Sequence, residues 1–276
     1  MASNIGRMRT IPLTELLDAP TEARFDQIYT SIEVARGTAG CRARKSTSRG
    51  RLTAVDDVLI AEIERLFPID HQVSLHDMAA SSAITSLELF VRVKARRPAK
   101  MRASDYYNTI YAVRVGPWTV FFDVLNSPIQ FVWRAHGVSA RRGSLRFLLS
   151  PLIVPTARKR MISGRYQEIV LFHPDAIAAV CEDFVLAREN FSTPEPRQYD
   201  VVRIINPGPH EPLLAALPAI ARTVSDGGLL VLGRANIASQ HLAVTIFRRC
   251  GNRFHCVREL GEGYKFRQDV LSLVIA

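Results

Sequence analysis

The stretch VSLHDMAASSAIT, residues 73–85, sets an acid, Asp77, at the end of a short apolar run and follows it, after Met78, with five small residues, Ala79 to Ala83. A strand that turns tightly into a helix directs backbone N–H groups and the positive end of the helix dipole at one spot, which suits a carboxylate or other polar ligand. The turn holds no glycine. It is a working ligand loop built from the next smallest side chains, an eroded one that no longer binds, or a plain connection in which Ser81 or Ser82 caps the helix. Asp105 and Asn206 bring further polar groups close to what read as strand ends. His210 follows Asn206 closely and reads either as a base or as a solvated turn histidine.

Other chemistries lack their patterns. The seven histidines, His71, His76, His136, His173, His210, His241 and His255, show neither HxH nor HxxxH spacing, so no metal site is expected. The four cysteines, Cys41, Cys181, Cys250 and Cys256, form no CxxC pair, which argues against zinc and against a disulfide framework. A reducing, cytoplasmic setting is the expectation. There is no GxSxG elbow and no phosphate-binding GxxxxGKS or GxxxxGKT, so no catalytic residue is assigned.

The elements that must position these residues can be read along the chain. Its 276 residues, 47% hydrophobic and 22% charged, suit a soluble α/β domain with an N-terminal extension, or two small domains. No apolar run approaches the roughly 20 residues that cross a bilayer, and the first residues lack a secretory apolar core. Residues 12–37 read as one or two short helices and 53–67 as a helix with Thr53 as its cap. Strands are expected at 73–78, 100–103, 168–172, 184–187, 199–205 and 229–232, with helices at 82–95, 174–181 and 213–224. Residues 141–165 read as a helix and a basic loop. Residues 107–133 read as an antiparallel meander around Gly116-Pro117 and Asn126-Ser127-Pro128. A helix over 238–250 and two closing strands, 254–260 and 270–275, complete the reading.

The formal net charge is +10, and the cations cluster. Residues 42–51 carry five, residues 92–102 carry six, and Arg158-Lys159-Arg160 with Arg165 form a third group. These are either solvated surface or a footprint for an anionic partner such as nucleic acid.

In the order YDVV, helix 213–224, DGG and LLVLGR, the chain resembles class I S-adenosylmethionine-dependent methyltransferases. The resemblance spans roughly residues 53–276 and implies a doubly wound Rossmann-like sheet ending in antiparallel strands. Residues 1–52 would be an N-terminal helical and basic extension, and a β-rich insertion would occupy about 106–135. In register with that family, Asp77 stands for the acid of the first motif, and Ala79, Ser81 and Ala83 stand where it carries glycines. Replacement by the smallest side chains implies that close backbone approach matters while φ > 0 is not required. Asp105 would receive the ribose hydroxyls, Asn190 and Phe191 the adenine, and Asn206 would end the fourth strand.

Two functions follow. The first is an S-adenosylmethionine-dependent methyltransferase, its acceptor a small molecule, protein or nucleic acid, with no membrane partner. The second is a non-catalytic relative that binds or regulates, on nucleic acid through its basic clusters.

Overall fold

The computed structural model describes residues 9–18, 20–36, 41–44, 48–140, 145–207, 210–236 and 241–275. The chain opens with β1 (Arg9–Thr10), a 3-10 turn (Leu13–Asp18), α1 (Glu22–Ser31), β2 (Glu33–Arg36) and β3 (Cys41–Arg44). Next come α2 (Thr53–Leu66), β4 (Val73–Met78), α3 (Ile84–Lys94), β5 (Ala99–Ser104), β6 (Thr109–Val115), β7 (Trp118–Asp123), β8 (Pro128–Trp133) and β9 (His136–Ser139). The chain continues through α4 (Leu145–Ile162), β10 (Gln167–Val170), α5 (Pro174–Ala178), β11 (Phe184–Ala187), β12 (Tyr199–Ile205) and α6 (His210–Arg222). It closes with β13 (Val224–Asn236), β14 (His241–Cys250), β15 (Arg253–Gly261) and α7 (Arg267–Ser272). Two compact units result: Met1–Ser46 with Tyr107–Pro174, and Thr47–Tyr106 with Asp175–Ala276.

The second unit holds a seven-stranded sheet in the order β11-β5-β4-β12-β13-β14-β15. The first five strands are parallel; β14 and β15 are added antiparallel. The fold is therefore α/β and doubly wound, as the sequence implies. From β4 the chain builds outward through β5 and β11, then returns to lay β12 on the other side of β4. Strand order reverses between β4 and β12, and the crevice beyond their carboxyl ends is where open α/β sheets hold ligands. The loops that open it are 79–83 after β4 and the segment beginning at Asn206 after β12.

Both faces of this sheet are covered, so its strands read as near-continuous apolar runs. Val55, Leu59, Ile60 and Ile63 make the buried stripe of α2, and Ile84, Leu89, Phe90 and Val93 that of α3. Leu213, Leu217 and Ile220 of α6 pack with Val202, Ile204, Leu230 and Leu232.

The sequence reading fails at two C-terminal elements. Residues 241–250, expected as a helix, form β14, and residues 238–240 lie outside the described residues. Ala243 to Phe247 are buried at every position, which erases the two-residue alternation that marks a strand; the β-branched run Val244-Thr245-Ile246 favours the sheet. Residues 270–275, expected as a strand, contribute to α7 and its exit, which seat Val270 and Ile275 in the cluster beside α6. Asp226-Gly227-Gly228, expected as a turn before a strand, lies inside β13, where the pairing with β12 shifts register between Tyr199 and Val201. Thr53 begins α2 without capping it; its hydroxyl donates to the Gly50 carbonyl at 2.9 Å.

The first unit holds a six-stranded antiparallel sheet, β1-β9-β8-β7-β6-β10. The expected meander is present as β6, β7 and β8, and the sheet runs on through β9 and β10. On one face Ile110, Phe121 and Ile129 pack with Phe25, Ile28 and Tyr29 of α1. On the other, Val113, Val120, Phe122 and Phe131 pack with Ile153, Val154 and Ala157 of α4.

Candidate functional site: a glycine-free loop at the crevice

Ala79, Ser81 and Ala83 have φ angles of 59°, 60° and 62°. Every second residue of the loop is left-handed, at the three places where the family resemblance puts glycine. The expectation that φ > 0 is not required there is overturned. A side chain in this region costs roughly 1–2 kcal/mol per residue, because Cβ crowds the following carbonyl. Neither Ser81 nor Ser82 caps α3: the N-cap is Ala83, with no side-chain bond.

Something must hold so strained a turn, and backbone N–H bonds act on it directly. The Ala80 N–H donates to the Ser104 carbonyl at 2.9 Å, and the Ala83 N–H to the Ala80 carbonyl at 3.0 Å. The Ser81 N–H donates to Asp105 Oδ2 at 2.9 Å. Asp105, directly after β5, is buried and thus already engages the loop from the neighbouring strand end.

A second brace lies beneath. Arg203 of β12 is fully buried, 1% exposed. Its Nε and Nη2 reach Asp77 Oδ1 and Oδ2 at 3.0 and 2.6 Å, and its Nη1 reaches Asp56 Oδ1 of α2 at 2.6 Å. Nη2 also donates to the Thr85 carbonyl at 3.2 Å, and the Ser86 hydroxyl donates to Asp77 Oδ2 at 2.5 Å. One guanidinium thereby joins the strand before the loop to the first turn of the helix after it. Burial pushes the Asp56 carboxyl up to about 6, against the pull of Arg203 and with help from Asp77. Burial disfavours the Arg203 charge, but Asp77 and Asp56 outweigh it and hold the group above the ordinary guanidinium range.

The remaining expected residues separate. The Asn206 side chain clamps β13: its Nδ2 donates to the Ala235 carbonyl at 2.9 Å and its Oδ1 accepts the Ala235 N–H at 3.1 Å. Asn206 is itself left-handed, at φ 57°. Asn190 Oδ1 accepts the Ser192 N–H at 3.0 Å, which closes the turn after β11. Phe191 packs, half-buried, against the cluster that contains Met78 and Leu213. The structure thus brings Asp77, the loop and Asp105 together through bonds, and uses the amides of Asn190 and Asn206 to shape their own turns. The side chain of His210, like residues 208–209, lies outside the described residues.

A polar cluster on the other face of the sheet escapes spacing rules. His76 of β4 is buried; its Nε2 lies 2.9 Å from Ser104 Oγ and 3.5 Å from Glu189 Oε2, and its ring packs 4.7 Å from Tyr199. Burial alone would raise the Glu189 carboxyl, but the nearby His76 ring and the Arg102 guanidinium bonded to it outweigh that and bring it down to about 2. Serine, histidine and carboxylate meet here without forming a relay, because hydroxyl and carboxylate share one ring nitrogen. Two-residue alternation places His76 and Ser104 on one sheet face, a signal that histidine spacing along the chain cannot carry.

A cavity of about 340 Å³ opens between the start of α2 and α3, lined by Arg49, Thr53, Asp56, Leu87, Glu88, Val91 and Arg92. It shares Asp56 with the Arg203 network and none of the loop residues. Among the described residues there is no cluster of three or more His, Cys, Asp or Glu placed for a metal, and no helix long and apolar enough to cross a membrane.

No family model matches the chain, and no curated protein matches it either. Solved structures do. A protein-L-isoaspartate O-methyltransferase is 11% identical over 92% of this chain and 58% of its own, with a TM-score of 0.36. The S-adenosylmethionine-bound CalS10, an amino pentose methyltransferase from Micromonospora echinaspora, is 13% identical over 78% and 79%, at 0.34. The YcgJ protein of Bacillus subtilis is 9% identical over 66% and 50%, at 0.32. The chain spans about half the length of the first and third of these. With scores this low, the likenesses carry neither residues nor activity across; the strand order stands on its own.

Proposed function

We propose that the chain is an S-adenosylmethionine-dependent methyltransferase whose cofactor loop is Asp77–Ala83. One observation carries this reading: Ala79, Ser81 and Ala83 all take the left-handed shape that glycine adopts freely, at the mouth of the crevice where strand order reverses. A chain seldom holds three such residues against their preference unless the shape has a use. The small side chains would floor the methionine part of the cofactor, with Asp105 beside the ribose and Phe191 near the adenine. The bound sulfonium supplies an activated methyl group, so the protein has only to orient an acceptor and exclude water.

A second reading rests on a different observation. Asp77 is committed to Arg203 and Asn206 to Ala235, so two polar side chains expected at the crevice serve the protein itself. This suits a relative that keeps the fold for binding or regulation. A titration separates the two. S-adenosyl-homocysteine at about 100-fold over its dissociation constant stabilises a binding protein by about 2.7 kcal/mol, seen as a raised melting temperature. No shift and no calorimetric heat at millimolar ligand would reject the cofactor pocket.

A further inference from the structure

The three basic clusters have different fates. In 92–102 every cation is occupied: Arg92 by Asp57, Lys94 by Asp183, Arg96 by Glu64, Lys100 by Glu182, Arg102 by Glu189 and Glu195, and Arg97 by the carbonyls of Ile63 and Phe67. The cluster at 42–51 falls partly outside the described residues. The third is different in kind. Arg158 and Lys159 are exposed on the last turns of α4, and Arg165 is exposed just beyond them. Arg160 Nη1 donates to the Arg114 carbonyl at 2.5 Å, which lays this end of α4 on the end of β6. Together with Arg134 these make five cations, and none has an ion pair among the described residues.

Aromatic rings sit among them. Trp118 and Trp133 are cross-strand partners on β7 and β8, stacked with centroids 6.1 Å apart. Trp118 and Met161 of α4 both pack against the core between the sheet and α4, and Trp133 is 41% exposed. The Arg134 guanidinium lies 5.2 Å from the Trp133 ring, in a hairpin where Arg134 takes a φ of 52°. Tyr166, 43% exposed, meets Tyr111 edge-on, and the acid Glu168 lies across from Tyr111 on β10.

We infer that this end of the antiparallel sheet is a binding surface for single-stranded nucleic acid, whose bases stack on Trp133 and Tyr166 and whose phosphates lie on the surrounding cations. Exposed rings interleaved with unpaired cations are what a strand without a partner needs, since every base has a π-face and every linkage a charge. Four of the five cations are arginine, whose flat guanidinium both stacks and grips phosphate with two bonds. The inference does not depend on the cofactor reading, because no cofactor enters the test.

The probe is a fluorescein-labelled oligouridylate of roughly 12 nucleotides, within the about 4–16 typical of such grooves. Anisotropy is read with the full chain across a salt series. The parent should bind with a slope of log K against log salt near −3.5, from about five phosphates at about −0.7 each. Trp133→Ala should weaken binding at least 10-fold with the slope unchanged, while Trp133→Phe keeps most of the affinity. Arg158→Ala with Lys159→Ala should flatten the slope by about 1.4. Arg96→Ala, already spent on Glu64, should change nothing. Circular dichroism checks that each variant is folded. The inference is overturned if the parent fails to bind, if Trp133→Ala binds like the parent, if duplex binds as tightly as single strand, or if phosphatidylserine vesicles displace the oligonucleotide.

Discussion

Arg203 grips Asp77 with two bonds, from Nε at 3.0 Å and Nη2 at 2.6 Å, across 126 residues of chain and out of reach of water. A buried ion pair of this kind is a weak source of net stability, because both charges leave water to form it. Its value here is geometric. It joins the strand before a glycine-free loop to the helix after it.

Arg203→Met should therefore be severe. It leaves Asp56 and Asp77 buried without their cation, a loss of about 3–5 kcal/mol. Replacing all three together, Asp56→Leu, Asp77→Leu and Arg203→Met, should recover much of that loss. Urea midpoints decide the matter; a triple variant no more stable than the single one would mean that the charges are not the source.

Glycine should be welcome at alternate loop positions only. Ala79→Gly and Ser81→Gly release roughly 1–2 kcal/mol of left-handed strain against about 0.5–1 kcal/mol of lost backbone order, a small net gain. Ala80→Gly, at a position without positive φ, should lose about 0.5–1 kcal/mol. Equal effects at all three sites would contradict the alternating loop.

A large side chain at the loop tests its use. Ser81→Leu should abolish S-adenosyl-homocysteine binding while leaving the melting temperature of the free protein nearly unchanged, since Ser81 is only half-buried. Asp105→Ala should lower both, as the Ser81 N–H loses a charged acceptor worth about 1–3 kcal/mol. Ser81→Leu with full affinity would move the pocket elsewhere.

Two carboxyls should bend the pH profile in opposite senses. Asp56 titrates at about 6 when folded against 3.8 otherwise, so between these values the folded chain holds a proton that the unfolded chain has released. Stability from this group is present below that window and falls as pH rises through it, by about 3 kcal/mol at about 1.36 kcal/mol per unit. Glu189, lowered from 4.5 to about 2, contributes stability above its window that is lost as pH falls through it. Asp56→Asn should remove the first slope and Glu189→Gln the second, in urea midpoints taken across both windows.

Much of the sheet was legible because a short apolar run between turn residues has few alternatives. The runs at 73–78, 184–187 and 199–205 are β4, β11 and β12 at the same residues. Legibility ended where such a run grew long: β14 spans ten residues, a length that a helix also takes, and its buried middle has no alternation to decide between the two. The site divides in the same way. Asp77 and Asp105 are at strand ends and meet the loop or its brace. The loop's shape could not be read from Ala and Ser, which avoid it. Arg203 stands out as a charge interrupting an apolar strand, but its partners lie on α2 and β4, far away in sequence.

That separation gives the molecule a timetable. During synthesis at about 5–20 residues per second, Arg203 follows Asp77 by 126 residues, roughly 6–25 seconds later. For all that time Asp56 and Asp77 have no cation to accompany them out of water, and β4 lacks the neighbour that will lie between it and β13. The acids must stay hydrated, and α2 and β4 cannot close on one another. The loop at the crevice is thus among the last features the nascent chain can set, ready only once a residue made far downstream arrives to hold it.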